Sequence, residues 1–244
     1  MKNAFVLGAS SGIGRCIAER LAEDGWNLLI CSRNERDIES VSQNISLKHG
    51  SSVEALVADI NTPGDRENIL SYLETNFFAD CIFLSIGEVY ENDNGLQNQT
   101  ITERLVQTNF SSITLLLSSI LKKKDPAKEF RVILLSSVAI ARARNNNLIY
   151  ASSKTALDFY CRGLQHLFSE SSIHILIFRL GYVDTSMSFG KKLLFPASSP
   201  ERTARFIIKN LYSGKRIIYF PKFWRIITFI VKLIPWTIYK KLTF

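Results

Sequence analysis

Short apolar runs that alternate with stretches of helical spacing constrain this chain more than any other feature. Seven runs read as strands: Ala4 to Leu7, Asn27 to Cys31, Val53 to Val57, Cys81 to Ile86, Arg131 to Leu135, Ile173 to Phe178 and Ile217 to Phe220. Helical candidates lie between them: Cys16 to Glu23, Arg36 to His49, residues 63–78, Ile101 to Leu121, Tyr150 to Phe168, and a helix that Pro200-Glu201 sets up and that runs through Leu211. The strands are almost continuously apolar, as strands covered on both faces must be. Connections of this length do not suit an antiparallel sandwich. The expected fold is therefore α/β: a doubly wound, mostly parallel seven-stranded sheet with helices on both faces.

A chain of 244 residues, 46% hydrophobic, suits one globular domain with a sizeable core. We expect that domain to span residues 1–221 and a tail to span 222–244. Cys16, Cys31, Cys81 and Cys161 are far apart, and His49, His166 and His174 form no ligand cluster. Buried free thiols in a reducing compartment fit, without a disulfide or metal site. The N-terminus lacks a signal-peptide pattern, because a glycine-rich turn interrupts its short apolar run. The net charge of +8 is uneven: from Arg202 onward there are ten Lys or Arg and no Asp or Glu. The body is nearly neutral and the tail is basic. This argues against nucleic-acid binding by the fold as a whole and gives the tail a local task.

Gly8-Ala9-Ser10-Ser11-Gly12-Ile13-Gly14 ends the first strand and opens a helix. Small residues let the backbone approach a pyrophosphate, and the helix N-terminus supplies N–H groups and partial positive charge. The same turn without a ligand would be a plain strand-to-helix connection. The second strand ends in Cys31-Ser32-Arg33, with no carboxylate to accept from ribose hydroxyls. A 2′-phosphate would match the guanidinium of Arg33, with Ser32 as donor and Arg15 as a second cation. NADP(H) is the preferred cofactor and NAD(H) the alternative. Asp59, with Ile60 beside it, ends the third strand. Its carboxylate would accept from an adenine amino group or cap the turn toward Pro63.

Tyr150 and Lys154 are four residues apart and share a helix face. A phenol titrates near pH 10 in solution, so it needs a neighbouring cation to work near neutrality. Lys154 would supply that cation and also hold the nicotinamide ribose. Ser137, at the end of the fifth strand, would donate to the same substrate oxygen as Tyr150. Asn109 would hold a water behind the lysine and complete a proton path.

These residues together resemble the short-chain dehydrogenase/reductase family, of the ordinary type about 250 residues long. The resemblance runs from Lys2 to about Phe220 and implies a Rossmann-like fold. The loop from Gly8 to Gly14 matches the cofactor loop, and Asn109, Ser137, Tyr150 and Lys154 match the catalytic four with the family spacings. Asp59 matches the acidic residue after strand three. Gly87 is the retained glycine of Leu84-Ser85-Ile86-Gly87, where the family has Asn-Asn-Ala-Gly. The side-chain bonds that usually brace the central strand are therefore in question. Leu7 replaces a threonine and Leu180 a proline, which marks a divergent branch. In Arg179-Leu180-Gly181-Tyr182-Val183-Asp184-Thr185 the resemblance puts the Val183 backbone against the carboxamide and Thr185 near the phosphates. It also implies a homo-oligomer, dimer or tetramer.

The segment from Ser186 to Ser199 holds Met187, Phe189, Leu193, Leu194 and Phe195, which suit an apolar substrate part or a loop packed on the core. The polar loop from Glu88 to Thr100 would form the opposite rim. Phe223 to Phe244 mixes aromatics and cations without the ~20 apolar residues of a spanning helix. It reads either as an interfacial helix on an anionic membrane or as an element docked on protein. It weakly resembles the tail of bacterial family members that reduce a keto-sugar on a polyprenyl-phosphate lipid. The expected function is NADP(H)-dependent hydride transfer to a small-molecule or lipid-linked carbonyl, in the cytoplasm and peripheral on a membrane. A 3-ketoacyl reductase and a non-catalytic dinucleotide-binding scaffold are the alternatives.

Overall fold

The computed structural model describes residues 2–90, 93, 96, 98–186 and 194–242. Seven strands form one sheet: β1 (Asn3–Leu7), β2 (Asn27–Ser32), β3 (Val53–Val57), β4 (Cys81–Leu84), β5 (Phe130–Ser137), β6 (Ile173–Leu180) and β7 (Ile217–Phe220). Their order is β3-β2-β1-β4-β5-β6-β7, and every neighbouring pair is parallel. The direction of winding reverses between β1 and β4. A crevice opens there, beyond the carboxyl ends of the strands.

The helices are α1 (Gly12–Glu23), α2 (Glu35–His49), α3 (Pro63–Thr75), α4 (Gln99–Val106), α5 (Ser112–Lys122), α6 (Leu148–Leu167), α7 (Pro200–Lys209), α8 (Trp224–Leu233) and the short α9 (Trp236–Tyr239). Side chains alternate across the strands with period two. Ala4, Val6, Leu28, Ile30, Cys81 and Phe83 pack under Ile17, Leu21, Ile38 and Ile207 of α1, α2 and α7. Phe5, Leu7, Leu29, Cys31, Ile82 and Leu84 pack under Ile69, Leu117, Leu157 and Cys161 of α3, α5 and α6. The sheet is thus covered on both faces, as its apolar runs require. The four cysteines are free, and Cys31, Cys81 and Cys161 are buried.

The long helix expected over Ile101 to Leu121 is real but interrupted. Between α4 and α5 the turn widens to a π-helix at Gln107–Ser111. The strand expected to reach Ile86 ends at Leu84, and β5 and β6 each run two residues further than expected. Those two residues carry the chain to Ser137 and Leu180, at the rim of the crevice.

The tail docks by one face. Trp224, Thr228 and Tyr239 are buried. Gly181 makes the Trp224 contact possible: a Cβ there would lie 1.9 Å from the indole Nε1. Arg142 donates to the carbonyls of Val231 and Ile234 at the end of α8 and lies over the Tyr239 ring. A guanidinium satisfies carbonyls that a helix end leaves open. The outer face is apolar and exposed: Ile226, Phe229, Ile230 and Leu233 recur at helical spacing, with Trp236 beyond them. Among the described residues no helix is long and apolar enough to cross a membrane.

Candidate active site

The glycine turn is built for close approach. Gly8 and Gly12 have φ of 85° and 55°, in the left-handed region that side chains disfavour. A Cβ on Gly14 would lie 2.1 Å from the Gly8 carbonyl oxygen. Ser11 precedes α1 without capping it, and the first turn carries no acidic residue, so the N-terminal N–H groups face the crevice uncontested. Gly8, Ser10, Ser11, Gly12, Ile13, Gly14, Ser32, Arg33, Asp59, Ile60, Gly87 and Thr185 all line one groove. The buried hydroxyl of Ser85, on the same wall, has no hydrogen-bond partner among the described residues. Thr185 lies over Gly12, its Cγ2 3.4 Å from where a Cβ would be. A narrow, glycine-floored cradle at a helix N-terminus fits a dinucleotide pyrophosphate.

Four expected cofactor residues lie outside this lining: Tyr150 and Lys154, which belong to the chemical group, and Arg15 and Val183. Arg15 is exposed on α1, and Val183 is buried, bridged to Ser198. The bridge pins the segment that carries Thr185: Asp184 N–H donates to Ser198 O and Ser198 N–H to Tyr182 O, both at 2.9 Å. Asp59 serves the turn as well as the groove, because its Oδ1 accepts from Asn61 N–H at 2.9 Å. Arg33 reaches the groove but is engaged there by Glu88, at 2.7 Å.

The chemical group assembles from three elements. Ser137 ends β5, and its side chain accepts from Ala139 N–H. Tyr150 lies in the first turn of α6, where Asp93 Oδ2 accepts its backbone N–H at 2.9 Å. Lys154, one turn on, is buried and donates to Ile86 O at 3.0 Å. Its ammonium sits against Gly87, where a Cβ would come within 2.9 Å of Nζ. Glycine at 87 therefore leaves room for the lysine head. Burial pulls Lys154 down to about 8. Burial raises the Tyr150 phenol above its ordinary value, against opposing effects from the Ser137 hydrogen bond and the Arg144 charge. The expectation that Lys154 would lower Tyr150 is thus corrected: desolvation prevails, and the nearby cation that favours phenolate is Arg144.

Asn109 sits on the π-helix and is fully buried. Its Oδ1 accepts from Glu88 N–H and its Nδ2 donates to Glu88 O, each at 2.8 Å. This two-point clasp, with the Lys154 bond to Ile86 O, braces the chain after β4. The bracing lost with the family's asparagines is supplied from the opposite helix.

Several polar pairings, some in the groove and some beside it, escaped the sequence reading. Asn61 donates to Thr108 Oγ1 and accepts from Ser112 Oγ, joining the third strand's end to the π-helix. Glu88 and Arg104 form an ion pair at the rim. Asp158 is buried in α6 and holds Arg179 in a two-point pair, with Ser136 donating to the same carboxylate. Only the acid-to-arginine spacing of partners far apart in sequence could have signalled these, and spacing says nothing without the fold.

A cavity of about 240 Å³ lies beyond Ser137, walled by Val138, Tyr182, Phe195, Trp224, Ile227 and Val231. The tail therefore forms one side of it. Leu194 and Phe195 line or flank this space as expected of the covering segment. Met187, Phe189 and Leu193 lie outside the described residues, as does part of the Glu88 to Thr100 rim.

Comparisons with known proteins agree with this geometry. The human "inactive hydroxysteroid dehydrogenase-like protein 1" is 27% identical over 222 residues, which cover 87% of this chain and 66% of that protein. The chain thus spans just under two thirds of that relative's length. The 3-oxoacyl-acyl-carrier-protein reductase of Escherichia coli (strain K12) is 25% identical over 77% of this chain and 75% of its own. Among solved structures, a short-chain dehydrogenase from Sphingobium yanoikuyae in complex with NADPH superposes with a TM-score of 0.83 at 19% identity, covering 100% of this chain and 97% of that one. The family signature described as short chain dehydrogenase matches residues 2–192. With its parallel sheet, its glycine cradle and its Ser137, Tyr150 and Lys154 at one rim, this chain belongs to the short chain dehydrogenase family.

Proposed function

We propose that the protein is an NADP(H)-dependent oxidoreductase that reduces a carbonyl to an alcohol. The observation that carries this reading is the convergence of Ser137, Tyr150 and Lys154 on the mouth of the glycine cradle. Bound NADPH supplies the hydride. The cradle from Gly8 to Gly14 would hold its pyrophosphate, Arg33 and Ser32 its 2′-phosphate, Asp59 and Ile60 its adenine side, and Lys154 its nicotinamide ribose. The Val183 backbone would flank the nicotinamide carboxamide and Thr185 the phosphates.

The chain's own part is to orient the carbonyl and deliver a proton. Ser137 donates to the substrate oxygen and polarises the carbonyl. Tyr150 O–H transfers its proton to that oxygen as the carbon gains hydride. Burial raises the phenol above its ordinary value, so it carries the proton that the substrate oxygen receives. Lys154, drawn down to about 8, exchanges protons near neutrality and can restore Tyr150. Asn109 holds the Glu88 backbone and thereby the wall against which Lys154 rests.

Two further features extend the reading. The cavity beside the tail suits the apolar part of a lipid-linked or otherwise apolar carbonyl. The exposed face of Ile226, Phe229, Ile230, Leu233 and Trp236, flanked by Lys222, Arg225, Lys232, Lys240 and Lys241, suits the surface of an anionic membrane. A second apolar trough, of about 1090 Å³, runs along α6 past Ala151, Thr155, Phe159 and Gly163, on residues other than the catalytic pair. A second copy of the chain covering it would give the homo-oligomer. A 3-ketoacyl reductase is the alternative substrate reading, supported by the Escherichia coli relative. A non-catalytic scaffold is the other, supported by the name of the human one.

Tyr150→Phe tests the mechanism, since it keeps the ring and removes the proton. Steady-state reduction of an authenticated carbonyl should fall at least a hundredfold, while NADPH affinity by calorimetry stays within about twofold. Near-normal turnover would refute the acid role. A wild-type protein that binds NADPH yet reduces nothing in a membrane-lipid extract would favour the scaffold.

A further inference from the structure

The rim of the groove carries an ion bridge that the mechanism above does not use. Glu88 directly follows Gly87. Its carboxylate accepts from Arg33 Nη1 at 2.7 Å, and from Arg104 Nε and Nη2 at 2.7 and 2.9 Å. Arg33 stands at the end of β2 and Arg104 on α4, so one carboxylate ties two walls of the crevice. The Glu88 side chain is 16% exposed, against 54% for Arg33 and 45% for Arg104. The hold is asymmetric. Arg104 grips both carboxylate oxygens in a fork, and Arg33 touches one oxygen with one nitrogen. Arg33 is therefore the partner that an outside anion can win.

We propose that Glu88 is a specificity-determining residue for the cofactor: its carboxylate stands in for a 2′-phosphate on Arg33, and an incoming 2′-phosphate displaces it while Arg104 keeps it. This rests on the reading of Arg33 as the 2′-phosphate partner. A phosphate carries more charge than a carboxylate and offers three acceptor oxygens, so it prevails on Arg33. A nucleotide without the 2′-phosphate brings nothing to exchange. Glu88 thus acts on the phosphorylated nucleotide alone, moderating the preference that Arg33 confers, and Arg104 limits that effect by holding the carboxylate back from Arg33.

Glu88 and Arg104 then act with opposite signs, which a merely structural role for the bridge would not produce. Full-length wild type, Glu88→Gln and Arg104→Met would be titrated calorimetrically with adenosine 2′,5′-bisphosphate and with adenosine 5′-monophosphate. Glu88→Gln keeps the side-chain shape and its backbone clasp to Asn109. It should tighten the bisphosphate about two- to fivefold, the range of a half-exposed ion pair, and leave the monophosphate within experimental error. Arg104→Met frees the carboxylate to sit wholly on Arg33, so it should weaken the bisphosphate by a similar factor. Adding Arg33→Ala to either variant should erase its effect. Weaker bisphosphate binding by Glu88→Gln, or equal changes for both nucleotides, would overturn the proposal alone. Binding of the monophosphate and bisphosphate with equal affinity by wild type would overturn the Arg33 reading and this proposal with it.

Discussion

Lys154→Met should make the nucleotide-free protein more stable while it destroys the enzyme. The ammonium is fully buried and pulled from 10.5 to about 8 by desolvation. Each unit corresponds to about 1.4 kcal/mol, so holding the charge in the fold costs about 3 kcal/mol at pH 7. Lys154 recovers part of this through Ile86 O at 3.0 Å and Leu135 O at 3.5 Å. Methionine fills the same slot without charge but leaves those carbonyls open, at about 1 kcal/mol between them. The net expectation is a gain of about 1–2 kcal/mol, or about 3–6 °C in Tm for a chain this size. The sign has a pH signature. Between about 8 and 10.5 the unfolded chain binds more protons at this site than the folded one, so wild-type stability on this account rises with pH. The advantage of the methionine variant should be full below pH 8, shrink across that window and give way above it to a deficit of about 1 kcal/mol from the open carbonyls. Urea denaturation of both proteins at pH 7, 9 and 10.5 checks this. A variant less stable at pH 7, or a gap that does not change with pH, would refute the argument.

Other expectations follow from single contacts. Arg33→Ala should weaken NADPH at least tenfold and NADH less than twofold, read by paired calorimetric titrations; equal losses would remove Arg33 from the 2′-phosphate site. Asp158→Asn strips the negative charge from a residue 1% exposed and leaves the Arg179 and Arg162 guanidinium groups facing an uncharged amide; urea denaturation should show a loss of about 3 kcal/mol. The full-length protein should sediment with vesicles containing anionic lipid, and less so with added salt. Replacing Phe229, Ile230 and Leu233 by Gln should abolish that sedimentation and leave Tm nearly unchanged, because the outer face alone is altered. Truncation after Pro221 is the poorer test, since it also removes Trp224 from Gly181.

Periodicity and glycine placement made the sheet legible, because a strand buried on both faces has to be apolar throughout. The phosphate turn and the Tyr150–Lys154 pair were legible for a different reason: each is local, and its chemistry is fixed by spacing within a few residues. What sequence concealed was pairing across the fold. Nothing near Arg33 announces Glu88, and nothing near Asn109 announces that it clasps the Glu88 backbone. The charge on Lys154 was visible, but its depth was not, and depth decides both its own titration and that of Tyr150. The tail showed the same division. Its cations and aromatics were countable, yet only the packing of Trp224 on Gly181 shows that docking and an exposed apolar face belong to opposite sides of one helix.

The widened turn at Gln107–Ser111 has a consequence for how this site can change. A π-helical turn is an α-helix with one residue too many, so it is healed by removing one. Deleting a residue between Val106 and Asn109 would restore regular hydrogen bonding through α4 and α5. It would leave the faces of α4 and α5 in register, because the widened turn absorbs the extra residue, and would re-aim only the residues of the bulge itself. Asn109 would then leave the Glu88 backbone, and the wall behind Lys154 would lose its clasp. The helix would gain regularity in the same stroke that disperses the catalytic group. A lineage of this chain can therefore lose its chemistry through a single in-frame codon deletion that costs the fold little, a route to inactive descendants that passes through none of the catalytic residues themselves.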